Sequence, residues 1–227
     1  MDTDAVVFED RTDAGRRLTA ELLGLRGERP LVFGLPRGGI PVAAEVAGGL
    51  QAPLEVLVVR KLGAPGNREL AIGAVAEGGT AIVDRALAAR VGLTAHALEK
   101  VLEREGRELR RQVRRFRDDF APVDVRGYTA LIVDDGLATG LSDLAAVRAL
   151  RSRHAGRIVV AAPVASPEAV RMLRGEADEV HCHTVPSRLL GVGHWYEDFS
   201  PVSDEEVLAL LARAGTPIPG RDPGEDV

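Results

Sequence analysis

The stretch "LIVDDGLATGLS", residues 131–142, leads an apolar run into two adjacent acids and then into a loop of small and hydroxyl-bearing residues. In an open α/β sheet, ligands bind beyond the carboxyl ends of the strands, which is where Asp134 and Asp135 would lie. The loop then enters a helix near Ser142, where unpaired backbone N–H groups and the helix dipole favour a phosphate. The stretch therefore predicts a sugar-phosphate site, with a diol or Mg²⁺ on the acids and the phosphate on the loop.

Three other nucleotide or phosphate motifs match this chain less well. A P-loop ends in Gly-Lys-Ser/Thr, and no lysine follows Gly140. "GLPRGG", residues 34–39, and "GVGHWY", residues 191–196, are incomplete dinucleotide-binding patterns. A phospho-receiver domain needs another aspartate at the end of a later strand, whereas Asp178 precedes its predicted strand. A simple glycine turn would not explain why acids and hydroxyls both fall where a phosphate site needs them.

Short apolar runs alternate with amphipathic stretches along the rest of the chain. The predicted strands cover residues 30–34, 54–62, 69–84 (a hairpin turning at Gly78-Gly79), 128–133, 157–165 and 179–185. The predicted helices cover residues 11–25, 94–118 and 142–154, and others begin near Ile40, at Ser166-Pro167 and at "SDEE", residues 203–206. This alternation predicts an α/β fold with a mostly parallel twisted sheet flanked by helices.

Composition indicates a soluble globular protein, with 45% hydrophobic and 28% charged residues. The net charge of −5 disfavours nucleic acid as a bulk partner. No apolar run approaches the roughly 20 residues that span a bilayer, and the acidic start lacks the features of a secretory signal. The single cysteine, Cys182, fits a reducing compartment, so we expect a cytoplasmic protein without membrane contact.

The run "VDDGLATG" resembles the 5-phosphoribosyl 1-pyrophosphate (PRPP) motif of the type I phosphoribosyltransferases. The resemblance implies that Asp134 and Asp135 hold the ribose hydroxyls, and Mg²⁺ directly or indirectly. It also implies that the 5′-phosphate lies on the loop formed by Gly136, Leu137, Ala138, Thr139, Gly140, Leu141 and Ser142. Leu141 departs from the small residue usual in the family. Ala138 replaces the acid that assists the base in hypoxanthine–guanine enzymes, so a 6-oxopurine acceptor is not implied.

"GLPRGG" is similar to the pyrophosphate loop of the same family. The resemblance implies that Arg37, with Gly38 and Gly39, binds the diphosphate, and that a non-proline cis peptide links Pro36 to Arg37. The guanidinium supplies a fixed fork of donors, and we expect the glycines to permit unusual backbone dihedrals.

"VVRKLGAPGNREL", residues 58–70, places Arg60 and Lys61 at a strand end ahead of a Gly/Pro/Asn loop. Type I enzymes close a mobile loop here, and its basic residues neutralise the leaving pyrophosphate. Departing negative charge needs cations and exclusion of water, so this assignment agrees with the chemistry. Arg68 is a weaker candidate at the loop tip.

The resemblance also implies a single domain over residues 1–214, with a core at about 28–185 and a helical insertion at about 86–120. The hood that recognises the acceptor would comprise residues 1–27 and 186–214. Within it, Trp195 or Tyr196 would stack on an acceptor; alternatively, these aromatics anchor the C-terminal segment. Residues 215–227, rich in Gly, Pro and acids, are predicted to be disordered.

Two further clusters could suggest other ligands. The arginines of residues 107–117 could hold RNA or an acidic partner, but the intervening acids Glu103, Glu105 and Glu108 favour an ion-paired surface. His181 and His183 would point away from Cys182 on a strand, so a tetrahedral metal site with His194 is not indicated.

The predicted reaction is therefore transfer of 5-phosphoribosyl from Mg²⁺-PRPP to an unidentified acceptor, a nucleobase or related nitrogen compound, with release of pyrophosphate. A homodimer is plausible by family resemblance alone. The alternative is a non-catalytic module that senses PRPP or nucleotides and contacts nucleic acid through the Arg-rich helix 107–117.

Overall fold

The computed structural model describes residues 7–64, 67–117 and 121–214, so the predicted tail at 215–227 lies outside the described residues. The helices are α1 Arg11–Leu22, α2 Gly39–Leu50, α3 Arg85–Arg90, α4 Ala95–Arg117, α5 Leu141–Ser152, α6 Pro167–Leu173 and α7 Asp204–Arg213. The strands are β1 Pro30–Gly34, β2 Leu54–Val56, β3 Val59–Ala64, β4 Asn67–Ala76, β5 Ala81–Val83, β6 Thr129–Val133, β7 Arg157–Val164 and β8 Glu179–Thr184. Short 3₁₀ helices cover Leu23–Glu28, Glu77–Gly79 and Val192–Trp195.

A five-stranded parallel sheet in the order β2-β1-β6-β7-β8 forms the centre of the fold, as the sequence predicts. Strands β1 and β6 are buried on both faces, which explains why each is a continuous apolar run. Alternate residues point to opposite faces: Leu31 and Phe33 pack with α5 and α6, whereas Val32 packs with α1 and α2. Because all five strands are parallel, their carboxyl ends lie together at one end of the sheet.

The prediction of one strand over residues 54–62 is wrong. Strand β2 ends at Val56 in the parallel sheet, and β3 begins at Val59 in a separate antiparallel sheet, β3-β4-β5. Leu57 N still donates to Gly34 O of β1, whereas Val58 O accepts from Glu77 N beside the hairpin. Both linking residues are fully buried, so the apolar pattern runs through the change of sheet without a break.

The predicted hairpin is confirmed, with β4 and β5 antiparallel and joined by the turn Glu77–Gly79. Gly78 and Gly79 adopt φ values of 82° and 87°, a region that suits glycine. Helix starts at Ser166 and Ser203 are also confirmed, since each serine accepts a hydrogen bond from the first turn of its helix.

Helix α4 matches the long charged helix predicted over residues 94–118. Its buried Val101, Leu109 and Phe116 share a core cluster with Leu62 of β3 and Ile72 of β4. The helix therefore packs on the antiparallel sheet, and it lies close to the carboxyl end of the parallel sheet. Within the described ranges, no helix has both the length and the apolar character needed to cross a membrane.

Candidate active site

The two glycines of "GLPRGG" lie against the acid pair. A Cβ atom at Gly39 would lie 2.7 Å from Val133 O and 2.9 Å from Asp134 Oδ1, and one at Gly38 would overlap the carboxylate of Asp135. Gly38 has an ordinary helical φ of −62°, so the expectation of unusual dihedrals is wrong there. Both positions exclude a side chain because two strand-end loops meet at this edge. The predicted cis peptide between Pro36 and Arg37 is present.

The loop after the acid pair is held by hydrogen bonds to the end of β7 and the start of α6, and part of it is exposed to solvent. Buried Leu137 donates its N–H to Val164 O and accepts at its carbonyl from Ser166 N, while Ser166 Oγ donates to Ala138 O. Ala138 and Thr139 are exposed. Gly140, at φ 70°, precedes α5, so the N-terminus of this helix, with the positive end of its dipole, lies beside the loop.

A cavity of about 430 Å³ joins the predicted motifs. The segment "GLPRGG" contributes Arg37, and the loop after the acid pair contributes Ser142. Arg60 and Lys61 are the second and third residues of β3, so the prediction that they lie at a strand end is wrong. The full set of lining residues is Pro36, Arg37, Val59, Arg60, Lys61, Gly63, Arg104, Glu105, Gln112 and Ser142. The structure thus brings three separate sequence motifs to one cationic cavity. The side chain of Arg68 lies outside the described part of the structure.

Helix α4 adds residues to this cavity that the sequence analysis missed. Glu105, only 8% exposed, accepts hydrogen bonds from Arg60 Nη2 at 2.8 Å and from Arg104 Nε at 3.0 Å. Burial alone would raise the pKa of Glu105, but the hydrogen bonds from Arg60 and Arg104 outweigh it and hold the pKa below its usual value. Glu105 therefore aligns two guanidiniums along one wall of the cavity.

The acid pair is half-buried and electrostatically strained. Asp134 Oδ1 accepts from Asp135 N at 2.9 Å. Burial, reinforced by the charges of Asp143 and Asp135, raises the pKa of Asp134 well above its ordinary value. Burial also raises the pKa of Asp135, although Arg11 opposes the change. Such a site attracts hydrogen-bond donors and cations that relieve the concentrated negative charge.

Arg11 is the partner of Asp135, and no sequence motif pointed to it. From the first position of α1, its Nε donates to Asp135 Oδ2 at 2.9 Å, across 124 residues of chain. Its Nη1 donates to Ser200 O at 2.9 Å, and its guanidinium lies 3.9 Å from the ring centroid of Phe199. One side chain thus connects the N-terminal helix, the acid pair and the segment before α7.

Asp143, in the first turn of α5, is a third buried acid beneath the loop. It is 2% exposed, and its Oδ1 atom has no hydrogen-bond partner in the described structure. Burial, with a smaller contribution from Asp135, raises its pKa to about 7. An acid in a first helical turn is ordinarily a solvated residue that favours the dipole, so the sequence offered no sign of this burial.

The aromatic residues at positions 195–199 pack against Phe8, which precedes α1. Tyr196 is 6% exposed; its ring lies 5.4 Å from that of Phe8, and its hydroxyl donates to Asp135 O at 2.6 Å. Trp195 is half-buried, and its carbonyl accepts from Phe8 N. The predicted stacking of Trp195 or Tyr196 on an acceptor stays a prediction, and the Tyr196 hydroxyl is already engaged.

The two histidines of β8 pair with acids rather than with one another. His181 contacts Glu179, and His183 contacts Glu21 of α1. Across residues 7–64, 67–117 and 121–214, no group of three or more His, Cys, Asp or Glu side chains is arranged to hold a metal ion.

Comparison with known proteins gives consistent matches. Residues 8–197 match the family profile of the phosphoribosyl transferase domain. Two Mycobacterium tuberculosis proteins, from strains CDC 1551 and H37Rv, each named "Putative phosphoribosyl transferase", are 44% identical over 208 residues, or 92% of this chain. The chain spans about half of each relative's length, 47%. The crystal structure of TT1426 from Thermus thermophilus shares 42% identity with a TM-score of 0.69, covering 90% of this chain and 97% of that one.

Proposed function

The chain belongs to the phosphoribosyltransferase family, and from that premise we propose that it transfers 5-phosphoribosyl from Mg²⁺-PRPP to a nitrogen acceptor and releases pyrophosphate. One observation carries the proposal: the acid pair and the loops at residues 34–39 and 136–142, at the carboxyl end of the parallel sheet, lie beside Arg60 and Lys61 near the start of β3. Each supplies the chemistry that one part of PRPP requires.

In this proposal, Asp134 and Asp135 accept the ribose hydroxyls. The loop from Gly136 to Ser142 holds the 5′-phosphate through exposed backbone, hydroxyls and the N-terminus of α5. Arg37, Arg60 and Lys61 hold the pyrophosphate, joined by Arg104 of α4.

Mg²⁺ would arrive with the donor as part of the substrate. This ion binds proteins through one or two carboxylates together with substrate phosphates and several waters. The acid pair fits that role. Asp135 N donates to Asp134 Oδ1 and Arg11 Nε donates to Asp135 Oδ2, so these two hydrogen bonds do not use Asp134 Oδ2 or Asp135 Oδ1. The ion would screen the diphosphate charge, while the residues of the chain position the ribose.

Catalysis would rest on positioning and charge stabilisation. The C1–O bond to pyrophosphate breaks as the acceptor nitrogen bonds to C1, so negative charge accumulates on the leaving group beside Arg37, Arg60 and Lys61. The acceptor would enter from the side of α1 and residues 186–214, and a nucleobase or related nitrogen compound is the proposed class. Ala138 supplies no acid to assist a base.

Calorimetric titration of Mg²⁺-PRPP tests the donor site. The Asp134→Asn/Asp135→Asn double variant is expected to bind about 30-fold more weakly than wild type, because hydrogen bonds to charged acceptors are lost. Asp124→Asn, an exposed acid with its own partner Arg126, is the matched control and should bind like wild type. Folded wild type that binds no Mg²⁺-PRPP would show the donor assignment to be wrong.

Arg104 provides a second, independent prediction. Arg104→Gln is expected to weaken binding of Mg²⁺-pyrophosphate about five- to tenfold, since one charge-assisted contact is removed. Arg126→Gln, an exposed arginine that pairs with Asp124 ahead of β6 and does not line this cavity, should leave the affinity unchanged. Equal affinities for the two variants in a calorimetric titration would exclude Arg104 from the site.

A non-catalytic module that binds the donor is the second candidate. One observation favours it: Glu105 already neutralises Arg60, a cation that the transfer reaction would need. Measuring pyrophosphate release across a panel of nitrogen bases separates the two. Release with any one base supports the transferase, whereas PRPP binding without release across the panel supports the binding module.

A further inference from the structure

A second cavity, of about 500 Å³, lies on another side of α4 from the candidate active site. It is bounded by the hairpin turn at Gly78-Gly79, by one face of α4 and by Arg153 of the segment after α5. Val75, Leu109 and Val113 make its floor mainly apolar. The two turn glycines meet nothing within 4 Å where a Cβ would stand, so the mouth of the cavity is open.

The charges around this cavity are unbalanced. Among the described residues, four guanidiniums line it, those of Arg110, Arg114, Arg117 and Arg153, together with one carboxylate, that of Glu77. Glu77 is already used by Arg117, whose Nη2 donates to both of its oxygens at 2.9 Å in a buried pair. Arg153 lies farther from Glu77, at 3.5 Å, and burial lowers its pKa. Arg117 also pairs with buried Glu55, at 3.5 Å, so the positive charge that no described carboxylate balances is that of Arg110 and Arg114.

Arg104, Arg111 and Arg115 of α4 each pair with a carboxylate. Arg107, Arg110 and Arg114 form no ion pair within the residues that the structure describes, and two of them line the cavity, Arg110 and Arg114. They are four positions apart, so they lie on one face of the helix above the apolar floor.

We propose that this cavity binds a small organic anion with a flat apolar body. The body would cover Val75, Leu109 and Val113, and a carboxylate, sulfonate or phosphate at its edge would meet Arg110, Arg114 and Arg153. A cavity of this size suits a small molecule better than a nucleic-acid backbone, which would need an extended run of free cations. The site does not depend on the proposed transferase activity.

A ligand bound in this cavity would act on α4, which also lines the cavity of the candidate active site. Arg110 follows Glu105 by little more than one turn of α4, and Glu105 aligns Arg60 and Arg104. A ligand held by Arg110 and Arg114 would thus fix the helix that presents Glu105.

Fluorescence titration of the full chain with 8-anilinonaphthalene-1-sulfonate, an aromatic anion, tests the proposal. Wild type is expected to bind one equivalent, and Mg²⁺-PRPP should not displace it. Arg110→Gln/Arg114→Gln should weaken binding about tenfold or more, while Arg107→Gln, the matched arginine control, should leave it unchanged. Val113→Trp should abolish binding by filling the floor of the cavity.

Thermal unfolding of each variant shows that it is folded, and the arginine variants test the site even if Val113→Trp is unstable. Three results would each overturn the proposal: no binding by wild type, equal binding by Arg110→Gln/Arg114→Gln and Arg107→Gln, or strictly competitive displacement by Mg²⁺-PRPP, in which the apparent Kd of the probe rises without limit as PRPP is added. The last would place the probe in the donor cavity instead.

Discussion

Replacing Asp143 by asparagine is expected to stabilise the folded protein by about 4 kcal/mol at pH 8 and to change it little at pH 4. The pKa of Asp143 is about 7 in the folded protein, against an ordinary value of 3.8. Between these two pH values the folded state holds a proton that the unfolded state has lost, so wild-type stability falls as the pH rises. Above pH 7 Asp143 is ionised in both the folded and the unfolded state, and the loss of stability caused by its burial has reached its full value.

Asparagine removes this ionisation while it keeps the shape of the side chain. Urea unfolding of both proteins from pH 4 to pH 8 gives the difference directly. Asp124→Asn is the control, because Asp124 is exposed and the Arg126 side chain and backbone lower its pKa to about 2. The ionised Asp124 contributes to stability at any pH above its ordinary pKa of 3.8, and this contribution is lost only as the pH falls toward 2. Parallel pH profiles for Asp143→Asn and wild type would show that Asp143 is not buried as a neutral acid.

Replacing Arg11 by glutamine is expected to lower the free energy of unfolding by about 3 kcal/mol at pH 8, because it leaves the Asp135 charge without its cation. The pair is largely buried, with side-chain exposures of 10% and 16%. The loss should shrink toward pH 5, since Arg11 lowers the pKa of Asp135 and its removal lets the acid take up a proton. Urea unfolding at the two pH values measures both effects.

Arg16→Gln is the matched control on the same helix. Arg16 pairs with Glu45 at 3.2 Å, but its side chain is 69% exposed, so its loss should change stability by at most about 0.5 kcal/mol. Adding Asp135→Asn to Arg11→Gln should restore much of the stability, because the unpaired charge is then absent. An Arg11→Gln protein as stable as Arg16→Gln would contradict the assignment.

The parts of this protein that sequence determined by itself are local ones. The parallel sheet follows from short apolar runs separated by helices, and the hairpin follows from Gly78-Gly79. The helix starts follow from serines at Ser166 and Ser203. The strand–loop–helix arrangement at residues 131–142 was also predictable, since strand end, acids, glycines and hydroxyls are contiguous there, and phosphate binding by this loop stays a prediction. Each signal needs only a few neighbouring residues, because backbone geometry and capping act over one or two turns.

What only the tertiary structure decided concerns pairs that are distant along the chain. The Arg60–Glu105 and Arg11–Asp135 contacts span 45 and 124 residues. The change of sheet at Leu57 and the burial of Asp143 leave no mark on the local pattern either. A charged or apolar side chain has the same local sequence whether it meets water, a partner or another sheet. Its energy depends on burial and on the opposing charge, and packing alone sets both.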